Sequence, residues 1–400
     1  MLKKYNFASL SYTDILFFIA LTNTTLWSYV KVVLSRLPLI GIIGKKLAII
    51  FVIILILLCI KKILRILKPI DYIFYIVCFI TFISQYLFFP ENQFYLDEVL
   101  KIFLIHSLPF YFIGRIIDYD KISNFITLLS ILSIIIYSII RFVFNASDDM
   151  SDLNESGDMY AAYIIMPFVV LTILDAFKTH NKVSIVISIL SFILLLSFGN
   201  RGSVLYTLVF VVFCTIHQIK NKSLIQKIFT YMLMAGVLYI FMEVLLENLY
   251  TQFEEIGVST RIFDKLGEDE TDTSGRDVIL GHLLRELNYA WNGYGITGDR
   301  IFLDGTYAHN IFLELLFSFG YFFGALIIIV LLIVLFRAYI KCRNNNNYLF
   351  YVALICFGIL PLMTSHTFLR YPFFFMLLGY AVQINKSKKS CGNIPYHNVC

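Results

Sequence analysis

TYAHNIFLELLFSFGYFFG (306–324) runs, after one alanine, into LIIIVLLIVLF (326–336). A polar approach gives way to a long stretch that no soluble surface would carry. A helix needs about 20 mostly apolar residues to cross a bilayer, and 309–336 supplies them. Similar blocks recur, for example IIFVIILILLCI at 49–60. The chain of 400 residues is 59% hydrophobic and 15% charged, whereas an average soluble domain is roughly 25% charged. These features predict an all-α polytopic integral membrane protein. We place about twelve spans, near 11–30, 38–60, 70–89, 98–117, 122–144, 159–177, 183–198, 202–219, 228–247, 309–336, 348–365 and 368–385. The organisation is then spans one to nine in 1–247, a long loop at 248–308, three spans in 309–385 and a basic tail at 386–400.

The N-terminus begins with two lysines, as signal peptides do. The apolar region that follows contains LTNTTLWSY and no small-x-small cleavage pattern, so it reads as a retained first span. None of the seven cysteines (Cys59, Cys78, Cys214, Cys342, Cys356, Cys391, Cys400) falls in a segment placed outside the cell, and no C-x-x-C pair occurs. Neither a disulfide framework nor a cysteine metal site is expected.

Orientation follows from lysine and arginine. KKILRILK (61–68), KTHNK (178–182), KNKSLIQK (220–227), RAYIKCR (337–343) and KSKK (386–389) share one side if both termini are cytoplasmic. The other side carries acidic or neutral loops: ENQFYLDE (91–98), SDDMSDLNESGD (147–158) and segment 248–308, which has eleven acidic residues against five basic ones. Arg201, in SFGNRGS (197–203), is the exception: a short outer loop gains nothing topologically from an arginine. It either snorkels to lipid headgroups or serves a site.

Connections as long as 248–308 tend to be functional or disordered. Near 275–291, Val278, Ile279, Leu283, Leu287 and Trp291 recur at threes and fours, which predicts a short amphipathic helix. Ser274 and Asp277 have the spacing of a capping box, and Arg276 falls in the first turn. NGYGITGD (292–299) then supplies glycines for an irregular turn, and EDETDTS (268–274) reads as a solvated acidic loop.

Arg201, Arg276 and His309 thus all fall at helix N-termini on the outer side. Such termini offer unpaired N–H groups and partial positive charge, which favour an anion. Arginine is otherwise unfavourable there, and its fork matches phosphate oxygens. An outward-facing phosphate or diphosphate site follows, against the alternative of three interfacial residues that never meet. The same helix terminus and neighbouring arginines would keep His309 neutral, as suits a general base. Asn310 either caps the helix or orients the ring. Glu314, at i+4, either holds that amide or pairs with another span, and a carboxylate inside a span is a functional candidate.

These motifs resemble the Wzy-type O-antigen polymerase and O-antigen ligase superfamily. SFGNRGS is similar to that family's outer-loop arginine motif, with Asn200 where serine is frequent. SGRDVILGHLLRELNYAWNGYG resembles its Gly-Arg segment leading to a Gly-Tyr-Gly turn (Gly293, Tyr294, Gly295), with Leu280 near the place of a frequent tryptophan. AHNIFLELLFSFGYFFG resembles its His-Asn helix start with two downstream glycines, Gly320 and Gly324. The resemblance implies a glycosyltransferase of the bacterial plasma membrane, with an extracytoplasmic active site. It would polymerise polyprenyl-diphosphate-linked glycans, inverting the anomeric centre. Arg201 and Arg276 would hold the diphosphate, and His309 would activate the acceptor hydroxyl. Asn310, Glu314 and Tyr294 would support them. The donor and acceptor lipid-linked glycans, the bilayer and a chain-length regulator are the implied partners. No metal, cofactor or nucleic acid is implied, in keeping with the lack of a clear Asp-x-Asp pair in the outer loops. A ligase acting on lipid A-core is the alternative within the class, and a lipid-linked-glycan flippase the alternative outside it. The flippase reading would call for mid-span ionisable residues or repeats. The few candidates are His106, Glu243 and Glu314, and the two halves show no repeat.

Overall fold

The computed structural model describes residues 67–117, 151–198, 200–240, 276–288, 291–345 and 347–386, with residue 64 and a few positions between 128 and 138. The expected spans at 11–30 and 38–60, most of that at 122–144, the loop through Ser274 and the tail beyond 386 lie outside the described residues. Every regular element among the described residues is helical. Helix α1 (Pro69–Phe88) leads through a short 3-10 turn into α2 (Gln93–Ile102), a π-helical turn (Phe103–Ser107) and α3 (Leu108–Ile116). Then follow α4 (Ser151–Thr179), α5 (Lys182–Leu196), α6 (Arg201–Ile219), α7 (Leu224–Ile240), α8 (Arg276–Leu287), α9 (Gly298–Phe302), α10 (Ile311–Cys342), α11 (Tyr348–Gly358) and α12 (Pro372–Lys386).

Among the described residues, four stretches are long and apolar enough to cross a membrane: Pro69–Phe88, Ala161–Thr179, Arg201–Ile219 and Ile311–Cys342. The chain is therefore a helical, membrane-embedded protein. Its packing agrees. Ile165 and Val169 of α4, Phe350 and Phe357 of α11 and Met376 of α12 have no exposed surface. The rim is apolar too: Phe79 of α1, Phe229 of α7, and Phe322 and Phe336 of α10 are each about two-thirds exposed, at 65–69%. Water would penalise so continuous an apolar rim, whereas lipid does not.

With lipid outside, helices associate through close packing and polar contacts rather than through water exclusion. A Cβ at Gly114 would overlap the Met376 carbonyl, and one at Gly379 would overlap that of Tyr111, so α3 and α12 touch backbone to backbone. Between α4 and α5, the Thr172 and Ser191 hydroxyls lie 3.0 Å apart, and Ser188 donates to the Thr172 carbonyl.

The two ends of the bundle differ. At one end, Asp71 accepts from Arg115 Nε (2.9 Å), Arg115 Nη2 (3.0 Å) and the Tyr111 hydroxyl (2.7 Å). Gln383 binds the Ile117 carbonyl, Lys341 that of Asn385, and Gln218 that of Phe177. Lys386 lies within electrostatic range of Asp71, Arg115 and Lys68 at this end. The opposite end gathers Asn92, Asn200, the 291–309 segment and the 364–367 turn.

One expected span is corrected. The stretch 309–336 is not a continuous helix: Gly320 adopts φ 75°, ψ 174°, breaking α10 into segments 311–319 and 321–342. A Cβ at Gly324 would lie 2.7 Å from the Leu315 carbonyl oxygen, although nine residues of straight helix span about 13 Å. The short segment therefore folds back against the long one. The break frees the carbonyls of Phe317 and Ser318, and Tyr294 N–H (2.8 Å) and Gly295 N–H (3.1 Å) fill them. The expected span 348–365 likewise ends early: α11 stops at Gly358 and a 3-10 turn continues to Met363.

Gly320 has backbone angles open essentially to glycine alone, and a Cβ there would overlap the Trp291 carbonyl oxygen. Gly320→Ala is expected to destabilise the fold by more than the roughly 1–3 kcal/mol of backbone strain alone. Gly236→Ala in α7, where nothing lies within 4 Å, should stabilise slightly by helix propensity. Thermal unfolding of the two variants in detergent micelles checks the contrast.

Candidate functional site

At the non-basic end, α6 starts at Arg201. Its N-cap is Asn200, whose Oδ1 accepts from Ser203 N at 2.9 Å. Asparagine is among the strong N-caps, so Asn200 secures the helix start. Behind Arg201, a Cβ on Gly202 would lie 2.6 Å from the Tyr163 hydroxyl and 3.5 Å from that of Tyr206. These two hydroxyls reach across to the turn after α11: Tyr163 donates to Ser365 Oγ at 2.6 Å, and Tyr206 pairs with Thr364.

The described part of helix α8 runs Arg276–Leu287, so the helix expected near 275–291 ends earlier than its spacing suggests. Leu283 and Leu287 are fully buried against Ala308, Leu313 and Phe317, with Ile279 packed beside them. Val278 and Trp291 leave the expected apolar face and are exposed, at 69% and 75%. The helix is thus docked on segment 311–319 by only part of the predicted stripe. Arg276, exposed at its start, lies within electrostatic range of His309 and of Tyr206.

His309 sits just before the helix. Asn310 is the N-cap, its Oδ1 accepting from Phe312 N (3.0 Å) and Leu313 N (3.2 Å), so its amide oxygen is committed to capping. His309 itself has φ 54°, in the left-handed region. Thr297 (φ 66°) and Asp304 (φ 49°) share that strain, so three of the four positive-φ non-glycine residues among those described lead into this one ring. Strain of this kind persists only where the surroundings over-determine it. Here Asp299 Oδ2 accepts from Ala308 N at 2.9 Å. The Tyr307 ring lies 4.2 Å from the imidazole, and the Tyr307 hydroxyl donates to the Ser365 carbonyl. Burial, assisted by the Arg276 charge, lowers the His309 pKa to about 4. The direction is the expected one, but burial rather than the helix terminus is its main cause. Nδ1 is buried without a hydrogen-bond partner.

Glu314, buried one turn into the helix, turns away from Asn310. It accepts from the Thr367 hydroxyl and from Phe368 N (3.2 Å), which ties segment 311–319 to the turn that carries Ser365 and His366. Arg300, also buried, lies within electrostatic range of Asp299, Arg370, Glu314 and Glu98. Tyr294 contributes packing: it stacks on Phe317 (4.7 Å) and donates to the Glu286 carbonyl (3.0 Å). Asn92 Nδ2 donates to the carbonyls of Tyr294 (2.8 Å) and Ile296 (3.1 Å).

Arg201, Arg276 and His309 therefore lie at one end of the bundle, around a shared set of hydroxyls. Asn310 and Glu314 build the frame next to His309, and Tyr294 holds the loop to the helix break. Sequence reasoning missed Tyr163, Tyr206, Tyr307, Ser365 and His366. The polar run Thr364-Ser365-His366-Thr367 between two apolar stretches was the available signal. Chemically, the cluster offers a neutral imidazole, two guanidinium groups and several hydroxyls in a partly enclosed, low-dielectric setting. Among the described residues, no group of three or more His, Cys, Asp or Glu side chains has metal-binding geometry. No protein-family profile matches the chain, and neither a curated protein nor a solved structure matches it significantly.

Neutral His309 should acylate with a histidine-directed reagent at rates that fall only as pH drops through about 4. Arg276→Gln removes a charge that opposes protonation, so the midpoint should move up towards the ordinary value of about 6.5. Peptide mass mapping across a pH series checks both. Glu314→Ala, which strips the partners of the Thr367 hydroxyl and Phe368 N, should destabilise by about 1–3 kcal/mol, read as a lowered melting temperature.

Proposed function

We propose that the protein is a glycosyltransferase that joins polyprenyl-diphosphate-linked glycan units on the outer face of a bacterial plasma membrane, with both termini cytoplasmic. The observation that carries this reading is the neutral, strained His309 within reach of the Arg276 charge, beside the helix that Arg201 opens. The resemblance of the three motifs to the Wzy-type polymerase and ligase superfamily supports it.

In this reaction an acceptor sugar hydroxyl attacks the anomeric carbon of the donor glycan. The new C–O bond forms as the bond to the diphosphate breaks, from the opposite face, so the configuration inverts. The hydroxyl proton passes to His309, which a depressed pKa keeps free to accept it at neutral pH. The electron pair leaves with the polyprenyl diphosphate, whose growing charge Arg201 and Arg276 offset in a setting of low dielectric. His309 gains a positive charge as the leaving group gains a negative one, so the step opposes charge to charge rather than isolating either. A polar headgroup site at the end of an apolar bundle also suits a substrate whose lipid stays in the bilayer.

The test uses purified full-length protein with lipid-linked oligosaccharide. His309→Ala should lower kcat by about 10²–10⁴, and Arg201→Ala and Arg276→Ala each by about 10²–10³, with normal membrane insertion. Three variants that still make normal product would sink the reading. A ladder of products identifies a polymerase and a single transfer a ligase. Activity is expected to survive strong chelation of divalent metal.

A further inference from the structure

His366, in the turn after α11, lies within electrostatic range of His309. Its ring is fixed on two sides: Tyr371 stacks on it at 4.6 Å and 16°, and Tyr163 meets it edge-on at 4.6 Å and 75°. Glu314 clamps the next two residues of the turn, and the Tyr307 hydroxyl holds the Ser365 carbonyl just before. The ring is thus oriented by four elements, yet its Nε2 is buried with no hydrogen-bond partner. A buried nitrogen left unsatisfied is unfavourable and rare, and calls for an explanation. A histidine that serves only packing has no need of such close clamping around an empty nitrogen. The residue as a whole keeps some exposed surface, whereas Nε2 has almost none.

We propose that His366 binds a hydroxyl group of the substrate glycan and so recognises the sugar, whereas the arginines recognise the diphosphate. This rests on the transferase reading above. The chemistry selects a hydroxyl over a phosphate. A neutral imidazole has one N–H and one lone pair, and a hydroxyl, both donor and acceptor, satisfies either tautomer. A phosphate oxygen only accepts and would favour the imidazolium. Burial, with His309 and Arg370 within electrostatic range, works against that cation and lowers the His366 pKa to about 3. Tyr163, Tyr206, Thr364 and Ser365 surround the turn with further hydroxyls, the usual company of a bound sugar. His366 touches the glycan without exchanging a proton with it, so its contribution is to binding.

The experiment measures Kd of full-length protein in lipid nanodiscs for two probes: undecaprenyl diphosphate, and the lipid-linked oligosaccharide extracted from the host strain. The wild type should bind the second more tightly. His366→Phe keeps an aromatic ring between Tyr371 and Tyr163 but removes both nitrogens. It should cut the glycan-dependent gain roughly fivefold to tenfold and leave undecaprenyl diphosphate within about twofold, as its site is elsewhere. Arg276→Ala should weaken both probes. A His366→Phe variant that keeps the full gain overturns the inference alone, and so does a wild type that binds the two probes equally. A wild type that binds neither overturns the transferase reading and this inference with it.

Discussion

A helix broken inside a membrane protein must find partners for the carbonyls it frees, because lipid offers none. In α10 the break at Gly320 frees Phe317 and Ser318, and the Gly293-Tyr294-Gly295 turn supplies the missing N–H groups. Much else follows from that docking. Glycine is required on both sides: Gly293 and Gly295 have φ near 80°, and the backbones approach too closely for a Cβ. Asn92 and Gln85 then secure the carbonyls and N–H of the same turn. The chain leaves this anchor through Asp299, Tyr307 and His309, so the position of the imidazole is set by the helix break rather than by a span reaching the surface.

The bundle solves its two ends differently. The basic end closes on a buried ion pair, Asp71 with Arg115, whose remaining acceptor capacity Tyr111 and Lys68 N–H take up. The Asp71 carboxylate thus accepts four hydrogen bonds within the fold. At the other end the polar groups remain partly open. Buried unpartnered atoms occur at both ends, among them Gln383 Oε1 and Asn385 Oδ1 at the basic end and His309 Nδ1, His366 Nε2 and Arg300 Nη2 at the other, but only at the latter do the hydroxyls of Tyr163, Tyr206 and Tyr307 converge on one turn.

How much of this was legible can be argued residue by residue. Arg201 stood out because it broke the charge pattern, and Arg276 because helical spacing put it in a first turn. His309 stood out because a polar ring precedes an apolar run. Local physics sufficed for each. Glu314 and Asn310 were recognised as polar groups at the start of a membrane helix, but their partners were not: one clamps Thr367 and Phe368, the other caps its own helix. Val278 fits the helical period yet stays exposed, and Trp291 lies beyond the end of the helix at Leu287. His366 left a weak trace, since a short polar run between two apolar stretches, here Thr364 to Thr367, is what any turn looks like.

The sequence by itself determined the membrane class of the molecule, several of its helices and the three charged or titratable residues at or beside helix starts. Those depend on composition, period and charge, which are local. Only the tertiary structure decided that α10 is two segments folded on each other, that a glycine turn from a distant loop fills the break, and that His366 lies within electrostatic range of His309. These depend on backbone hydrogen bonds and close approaches between residues far apart in the chain. Periodicity counts apolar positions and is blind to a single left-handed glycine, because one such residue changes the direction of a helix without changing the character of the sequence around it.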